Sequence, residues 1–120
     1  MSQTFSRHVR LRSRAEFLAV QEKGRRVSGR HMTCLALPNQ LGVDRLGVVA
    51  SRRLGGAVFR NRAKRRVREM FRLGYEARFT APASERPLDI VVIPKREMDA
   101  APFASLQTEF DAAIQKLRGR

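Results

Sequence analysis

The stretch that most constrains this chain is residues 51–75, because its apolar and basic residues separate when they are placed at helical spacing. At about 100° per residue, one stripe of the helix collects Phe59, Ala63, Val67, Met70 and Phe71. The opposite side collects Asn61, Lys64, Arg65, Arg68 and Arg72. Such a helix is expected to pack on a domain by its apolar stripe and to bind a polyanion with its basic side.

A solvated helix face is the alternative interpretation of a charge run, and it is the usual one. Solvated faces normally mix both signs, because Glu and Lys four residues apart attract each other and like charges at that spacing repel. Here Arg60 and Lys64 form a like pair, as do Lys64 and Arg68, and Glu69 is the one acid between positions 60 and 72. The run therefore favours a partner that neutralises it.

The same stretch closely resembles the signature of the protein subunit of bacterial ribonuclease P. The resemblance lies in residues 51–58 and 60–65 and in Arg68-Glu69, and in length and order of elements it covers nearly the whole chain. One departure is Gly56, where the family usually carries Asn. The Gly55-Gly56 pair itself suits a backbone that approaches phosphate closely at the start of a helix.

The resemblance implies an RNA-binding component of ribonuclease P, which assists the catalytic RNA in removing the 5′ leader from precursor tRNA. It would be the non-catalytic subunit of a ribonucleoprotein endoribonuclease, and the RNA subunit would use the Mg²⁺. The implied partners are ribonuclease P RNA and precursor tRNA, with no obligate protein partner. The residues expected to contact RNA are Arg52, Arg53, Arg60, Asn61, Arg62, Lys64, Arg65, Arg68 and Arg72.

The resemblance also implies a leader-binding cleft between the first helix and the face of the sheet. It maps onto Phe17, Gln21, Thr33 and Leu35. Relatives often carry aromatic residues that stack on bases at the positions of Gln21 and Leu35. Phe17 is therefore the one aromatic side chain expected to line this cleft, rather than the core.

The sequence shows no constellation of the kind that a protein nuclease needs, which is clustered carboxylates for metal or a pair of catalytic histidines. The acids are scattered among the predicted elements, and no metal-ligand spacing such as HxxxH or CxxC occurs. His8 falls in an arm and His31 on a strand, so surface or hydrogen-bonded roles are favoured. No catalytic residue, metal site or cofactor is predicted in the protein itself.

The charge balance independently favours a nucleic-acid partner. The chain has 25 basic and 11 acidic residues, a net charge of +14 and an isoelectric point near 11.7. A ribosomal or other structural RNA-binding protein is the main alternative, because small basic α+β domains occur in both classes. The lone Cys34 excludes an internal disulfide, and the apolar runs are too short for a membrane span, so a cytoplasmic location is expected.

At its length the chain is expected to form one RNA-binding domain, residues 1–120, with an extended basic arm at 1–12. Ser13 and Glu16 match a capping box, which predicts a first helix that ends at Gly24.

Strands are predicted at 30–37 and 45–52, paired antiparallel, and at 88–93, where a continuous apolar run indicates burial on both faces. The basic helix is expected to end near 75–79 and to be followed by a loop at 80–87.

A last helix is predicted from the spacing of Phe103, Leu106, Phe110, Ile114 and Leu117, with Asp99 and Pro102 at its start and Gly119 at its end. These elements predict an α+β sandwich, one sheet with helices packed on it. The resemblance implies the order α-β-β-β-α-β-α with a left-handed crossover. The additional strand is expected from a finer division of residues 30–53.

Overall fold

The computed structural model describes residues 10–41, 43–79 and 87–119. Within these residues the α-helices are α1 (Arg14–Lys23), α2 (Ala57–Phe79) and α3 (Phe103–Arg118). The strands are β1 (Arg25–Ser28), β2 (Met32–Pro38), β3 (Arg45–Val48) and β4 (Leu88–Pro94). Short 3-10 helices at Arg52–Leu54 and Arg96–Ala100 precede α2 and α3. The predicted α+β class and the order α-β-β-β-α-β-α are confirmed.

The strands form a mixed sheet in the order β1-β2-β4-β3. β2 pairs antiparallel with β1 and with β4, whereas β3 runs parallel to β4. The apolar β4 therefore lies inside the sheet, as its continuous apolar run predicted. β3 and β4 are joined through α2, which is the crossover that the resemblance implied, and its left hand stays a prediction.

Two strand predictions were wrong. The strands predicted at 30–37 and 45–52 do not pair with each other, because β4 lies between β2 and β3 and satisfies the facing edges of both. The additional strand is β1, which precedes the 30–53 region. Its side chains are mostly exposed at the edge of the sheet, so it has no apolar alternation to detect. β3 is also shorter than predicted, since the chain turns into a 3-10 helix at Arg52.

Two helices have the predicted ends. The Ser13 hydroxyl accepts a hydrogen bond from the Glu16 N–H at 3.1 Å, and the Glu16 carboxylate accepts one from the Ser13 N–H at 3.1 Å. This is the predicted capping box, and Gly24 ends α1. α3 begins after Pro102 and ends before Gly119, as predicted, whereas Asp99 lies in the preceding 3-10 helix and not at the start of α3. Local capping chemistry therefore fixes the start of α1, whereas Pro102 precedes α3 without a side-chain cap.

The sheet has a hydrophobic core on each face. The larger core lies under α2 and α3 and includes Met32, Cys34 and Ala36 of β2. The smaller core lies under α1 and includes Leu35 of β2 with Val91 of β4. Successive side chains of β2 thus point to opposite faces of the sheet, as in any β-strand. Burial raises the pKa of the Cys34 thiol to about 12, so this thiol stays neutral in the core.

α2 packs on the larger core through the predicted apolar stripe, because Ala63, Val67, Met70 and Phe71 are all buried. Phe59 is the exception, since 42% of its surface is exposed. Its ring borders a small cleft that is also lined by Leu54 and Met98, the buried side chains of the two 3-10 helices.

Candidate nucleic-acid interface

The basic residues at and before α2 divide into two groups according to their contacts. The side chains of one group make no hydrogen bond or ion pair with any residue that the structure describes, and we call this group the open basic surface: Arg52, Arg53, Lys64, Arg65 and Arg68. Arg52, Arg53 and Arg65 are exposed, whereas Lys64 and Arg68 are half-buried. These cations can bind an external anion without breaking an internal contact.

Arg66 belongs to the other group, because its guanidinium is committed to the backbone. It donates hydrogen bonds to the carbonyl oxygens of Met98 at 2.8 Å, Asp99 at 3.2 Å and Ala101 at 2.8 Å. These carbonyls lie in and just after the 3-10 helix that precedes α3, which also contains Asp99, predicted as part of the last helix. Arg66 therefore attaches this segment to α2.

Three of the predicted RNA-contact residues also have partners within the protein. Arg62 donates to the Asp99 carboxylate at 2.6 Å, and Arg72 donates to the two oxygens of Glu69 at 3.1 and 2.5 Å. Arg60 donates to the Gly55 carbonyl at 3.3 Å. The ion pairs of Arg62 and Arg72 are partly exposed, and such pairs are weak enough for a phosphate to compete with the carboxylate.

Arg68 lies in a distinctly cationic environment. Burial lowers its pKa, and the nearby charge of Arg10 lowers it further. Arg10 is held at the edge of β3 by a parallel bridge to Leu46, and the adjacent Leu11 N–H donates to the Leu46 carbonyl at 3.0 Å. The sequence predicts that Arg10 lies in the basic arm, and no local pattern connects it to the helix. A phosphate beside Arg68 would relieve this repulsion.

The two glycines before α2 have different structural roles. Gly55 has φ of 141°, a conformation that L side chains rarely adopt, and its position would crowd the Phe59 side chain if it carried a Cβ. Gly56 has open space where a Cβ would project. The family's Asn at this position would therefore meet no steric barrier at its Cβ, and the departure at Gly56 leaves the turn intact.

A family model described as Ribonuclease P matches residues 5–118. The chain belongs to the ribonuclease P protein family. The ribonuclease P protein component of Desulfatibacillum aliphaticivorans is 43% identical over 93 residues, 78% of this chain and 74% of the relative. That of Thermotoga petrophila is 37% identical over 117 residues, 98% of this chain and 92% of the relative. The solved ribonuclease P protein of Thermotoga maritima matches with a TM-score of 0.73 at 29% identity, covering 92% of this chain and 96% of that one.

The cleft predicted from this family falls on the α1 side of the sheet. Phe17 of α1 is half-buried and packs against the smaller core. Its ring lies directly over Gly47 of β3, where a Cβ would come within 2.5 Å of the ring Cε1 atom. Gln21 is exposed on the same helix. Phe17 thus contributes to packing and still has surface to offer a ligand.

The other two predicted cleft residues lie deeper. Leu35 is 2% exposed and belongs to the core under α1, so it supports this region from below and leaves no side-chain surface for stacking. Thr33 is 8% exposed, and its hydroxyl lies 3.2 Å from that of Ser28. A leader bound here would contact α1 first, because the side chains of Leu35 and Thr33 are buried.

Among the residues that the structure describes, no group of three or more His, Cys, Asp and Glu side chains could hold a metal ion. His31 is hydrogen-bonded, with its Nδ1 atom 2.8 Å from a Glu109 carboxylate oxygen, whereas His8 lies outside the described residues. In the described part of the chain, no helix is both long and apolar enough to cross a membrane.

Proposed function

We propose that this chain is the RNA-binding component of ribonuclease P, and that it helps the catalytic RNA remove the 5′ leader from precursor tRNA by binding the RNA subunit and the leader. The open basic surface is the observation that carries this proposal. It lies within the segment that matches the family, and no carboxylate in the described residues pairs with it. Bound phosphates would remove the mutual repulsion of its cations.

Arginine suits this task better than lysine. Its planar guanidinium contacts two phosphate oxygens at once and also stacks on bases, whereas lysine acts as a point charge. Four of the five members of the open basic surface are arginines: Arg52, Arg53, Arg65 and Arg68. Lys64 is the fifth member, and the predicted contacts at Arg60, Asn61, Arg62 and Arg72 extend this surface along the same helix.

The leader of precursor tRNA is the proposed second ligand, bound beside α1. Phe17 supplies a partly exposed ring and Gln21 an exposed amide on the same helix. The exposed part of an aromatic ring binds any base by stacking, so this contact would tolerate different leader sequences. The protein would add affinity for the substrate, and the RNA subunit would carry the active site and use Mg²⁺. We place this complex in the cytoplasm.

The test is reconstitution with purified components. The protein is added to a bacterial ribonuclease P RNA and precursor tRNA at a magnesium concentration too low for the RNA to act efficiently alone. We expect the protein to stimulate leader cleavage and to cleave nothing when the RNA is omitted. Absence of stimulation, or cleavage by RNA-free protein, would overturn the proposal. Tighter binding to ribosomal RNA than to ribonuclease P RNA would favour the structural RNA-binding alternative.

A further inference from the structure

Phe59 is an exposed aromatic side chain at the beginning of the basic helix. It is 42% exposed, although its spacing places it on the apolar stripe with the buried Ala63 and Val67. One part of the ring borders a small cleft that Leu54, Ala63 and Met98 also line, and the remainder is open to solvent. A partly exposed aromatic residue on a surface otherwise rich in cations is a candidate ligand contact.

The position of the ring is fixed by the turn before it. The left-handed φ of 141° at Gly55 brings the backbone close to Phe59, so that a Cβ at residue 55 would lie 3.2 Å from the Cβ and Cγ atoms of Phe59. The base of the side chain therefore rests against the turn. A ring supported in this way loses little conformational entropy when a ligand binds to it.

Arg62 places a second planar group over the ring. Its guanidinium carbon lies 5.7 Å from the centroid of the Phe59 ring, which is within the range of a cation–π contact. The Asp99 carboxylate holds the same guanidinium at 2.6 Å. Asp99 offsets part of the charge of Arg62, so Arg62 is less available to phosphate than the open basic surface is, and its planar group can instead support stacking at Phe59.

We propose that Phe59, flanked by Arg62, is a stacking site for one unpaired base of the RNA that binds α2. This inference rests on the proposed function, since it requires ribonuclease P RNA or its substrate on the same helix. Binders of single-stranded RNA combine an aromatic platform with a cationic path for the backbone, and both occur here within a few residues. A second copy of this chain is a poorer occupant, because each copy carries a charge of +14.

The test compares substitutions at Phe59 in affinity for ribonuclease P RNA over a range of salt concentrations. Phe59→Ala is expected to weaken binding by roughly 5- to 150-fold, the equivalent of about 1–3 kcal/mol for one stacked base. Phe59→Tyr should bind as the unchanged protein does, and Phe59→Leu should lose most of the stacking while keeping an apolar side chain. The salt dependence should stay the same in all of them, because stacking releases no counterions.

Val58→Ala is the matched control, since Val58 is the adjacent apolar residue and is 69% exposed. It should leave RNA affinity unchanged. The proposal is overturned if Phe59→Leu binds as tightly as the unchanged protein, or if Phe59→Ala alters the salt dependence and not the affinity. Loss of self-association in Phe59→Ala, with RNA affinity kept, would instead assign the ring to a contact between copies.

Urea unfolding of each variant separates binding from folding. If Phe59→Ala unfolds, the comparison between Phe59→Leu and Phe59→Tyr still decides the question, because both retain a large side chain. If the unchanged protein neither binds ribonuclease P RNA nor stimulates cleavage, both the proposed function and the stacking site are wrong. If it binds and stimulates normally but substitutions at Phe59 have no effect, only the stacking site is wrong.

Discussion

Arg66 and Arg68 lie two positions apart on α2, and their surroundings are opposite. Arg66 is tied to three backbone carbonyls of the segment before α3. Arg68 is half-buried without an acidic partner in the described residues, beside the charge of Arg10. The same residue type thus stabilises the fold at one position and remains available to an anion at the other. Charge alone therefore does not distinguish an arginine that holds the fold together from one that is available to a ligand.

The difference extends along the whole helix. Arg62 lies on the same tethered side as Arg66, because both contact the segment at 98–101. Lys64, Arg65 and Arg68 form the open side. The comparison predicts that substitutions on the tethered side change mainly folding stability, and that substitutions on the open side change mainly RNA affinity.

The largest expected effect is on stability, at Arg66. Arg66→Ala removes a donor from three carbonyls, of which that of Met98 keeps only the Ala101 N–H, and this should cost about 2–3 kcal/mol of unfolding free energy. Urea unfolding measures this, with Arg66→Lys expected to recover only part of the loss, because one ammonium cannot reproduce the guanidinium's geometry. A fully stable Arg66→Ala variant would show that the tether contributes nothing to the fold.

Arg65 and Arg68 should show the reverse pattern. Arg65→Ala and Arg68→Ala are each expected to weaken RNA binding by about 1–3 kcal/mol through loss of a charge-assisted contact. Their unfolding free energies should stay within about 0.5 kcal/mol of the unchanged protein. Lys116→Ala on α3 is the control, since it removes an exposed cation away from α2. If either arginine variant loses folding stability but keeps its affinity for RNA, the two sides of the helix are assigned the wrong way round.

Phe17 tests the same distinction on α1, where one side chain has both roles. Because the ring is half-buried, Phe17→Ala should cost about 1–2 kcal/mol of stability, less than the loss at a fully buried position. Binding of precursor tRNA to the reconstituted particle should weaken by about 1–3 kcal/mol, while binding of mature tRNA stays unchanged. Leu18→Ala serves as the control, since Leu18 is 38% exposed on the same helix. Equal weakening for both tRNAs would return Phe17 to a purely structural role.

The smallest effect is expected at Asp99, where the substitution should strengthen RNA binding instead of weakening it. Asp99→Asn removes the carboxylate that holds Arg62, so Arg62 becomes available to phosphate and RNA affinity should increase by about 0.3–1 kcal/mol. The ion pair is partly exposed, so folding stability should fall by less than about 1 kcal/mol. Weaker RNA binding by Asp99→Asn would mean that the carboxylate positions Arg62 for RNA instead of competing with it.

Local sequence patterns predicted much of this fold. The capping box of α1 and the buried stripe of α2 depend on residues three or four positions apart, which a sequence displays directly. The strand order, and the exposed edge strand β1, depend on contacts between distant segments. The roles within α2 have the same origin, because Arg66 meets its carbonyl partners more than thirty residues away. Neither Arg66 nor Phe59 could therefore be assigned from helical spacing alone.

The proposed function depends above all on the binding of RNA phosphates by the open basic surface. The most direct test measures the affinity of the protein for ribonuclease P RNA against salt concentration, for the unchanged chain and for the Arg65→Ala/Arg68→Ala double variant. Each lost phosphate contact should reduce the slope of log affinity against log salt by about 0.7–0.9 in magnitude, so the double variant should lose about 1.4–1.8. Parallel lines for the two proteins would contradict the claim, because the two arginines would then neutralise no phosphate.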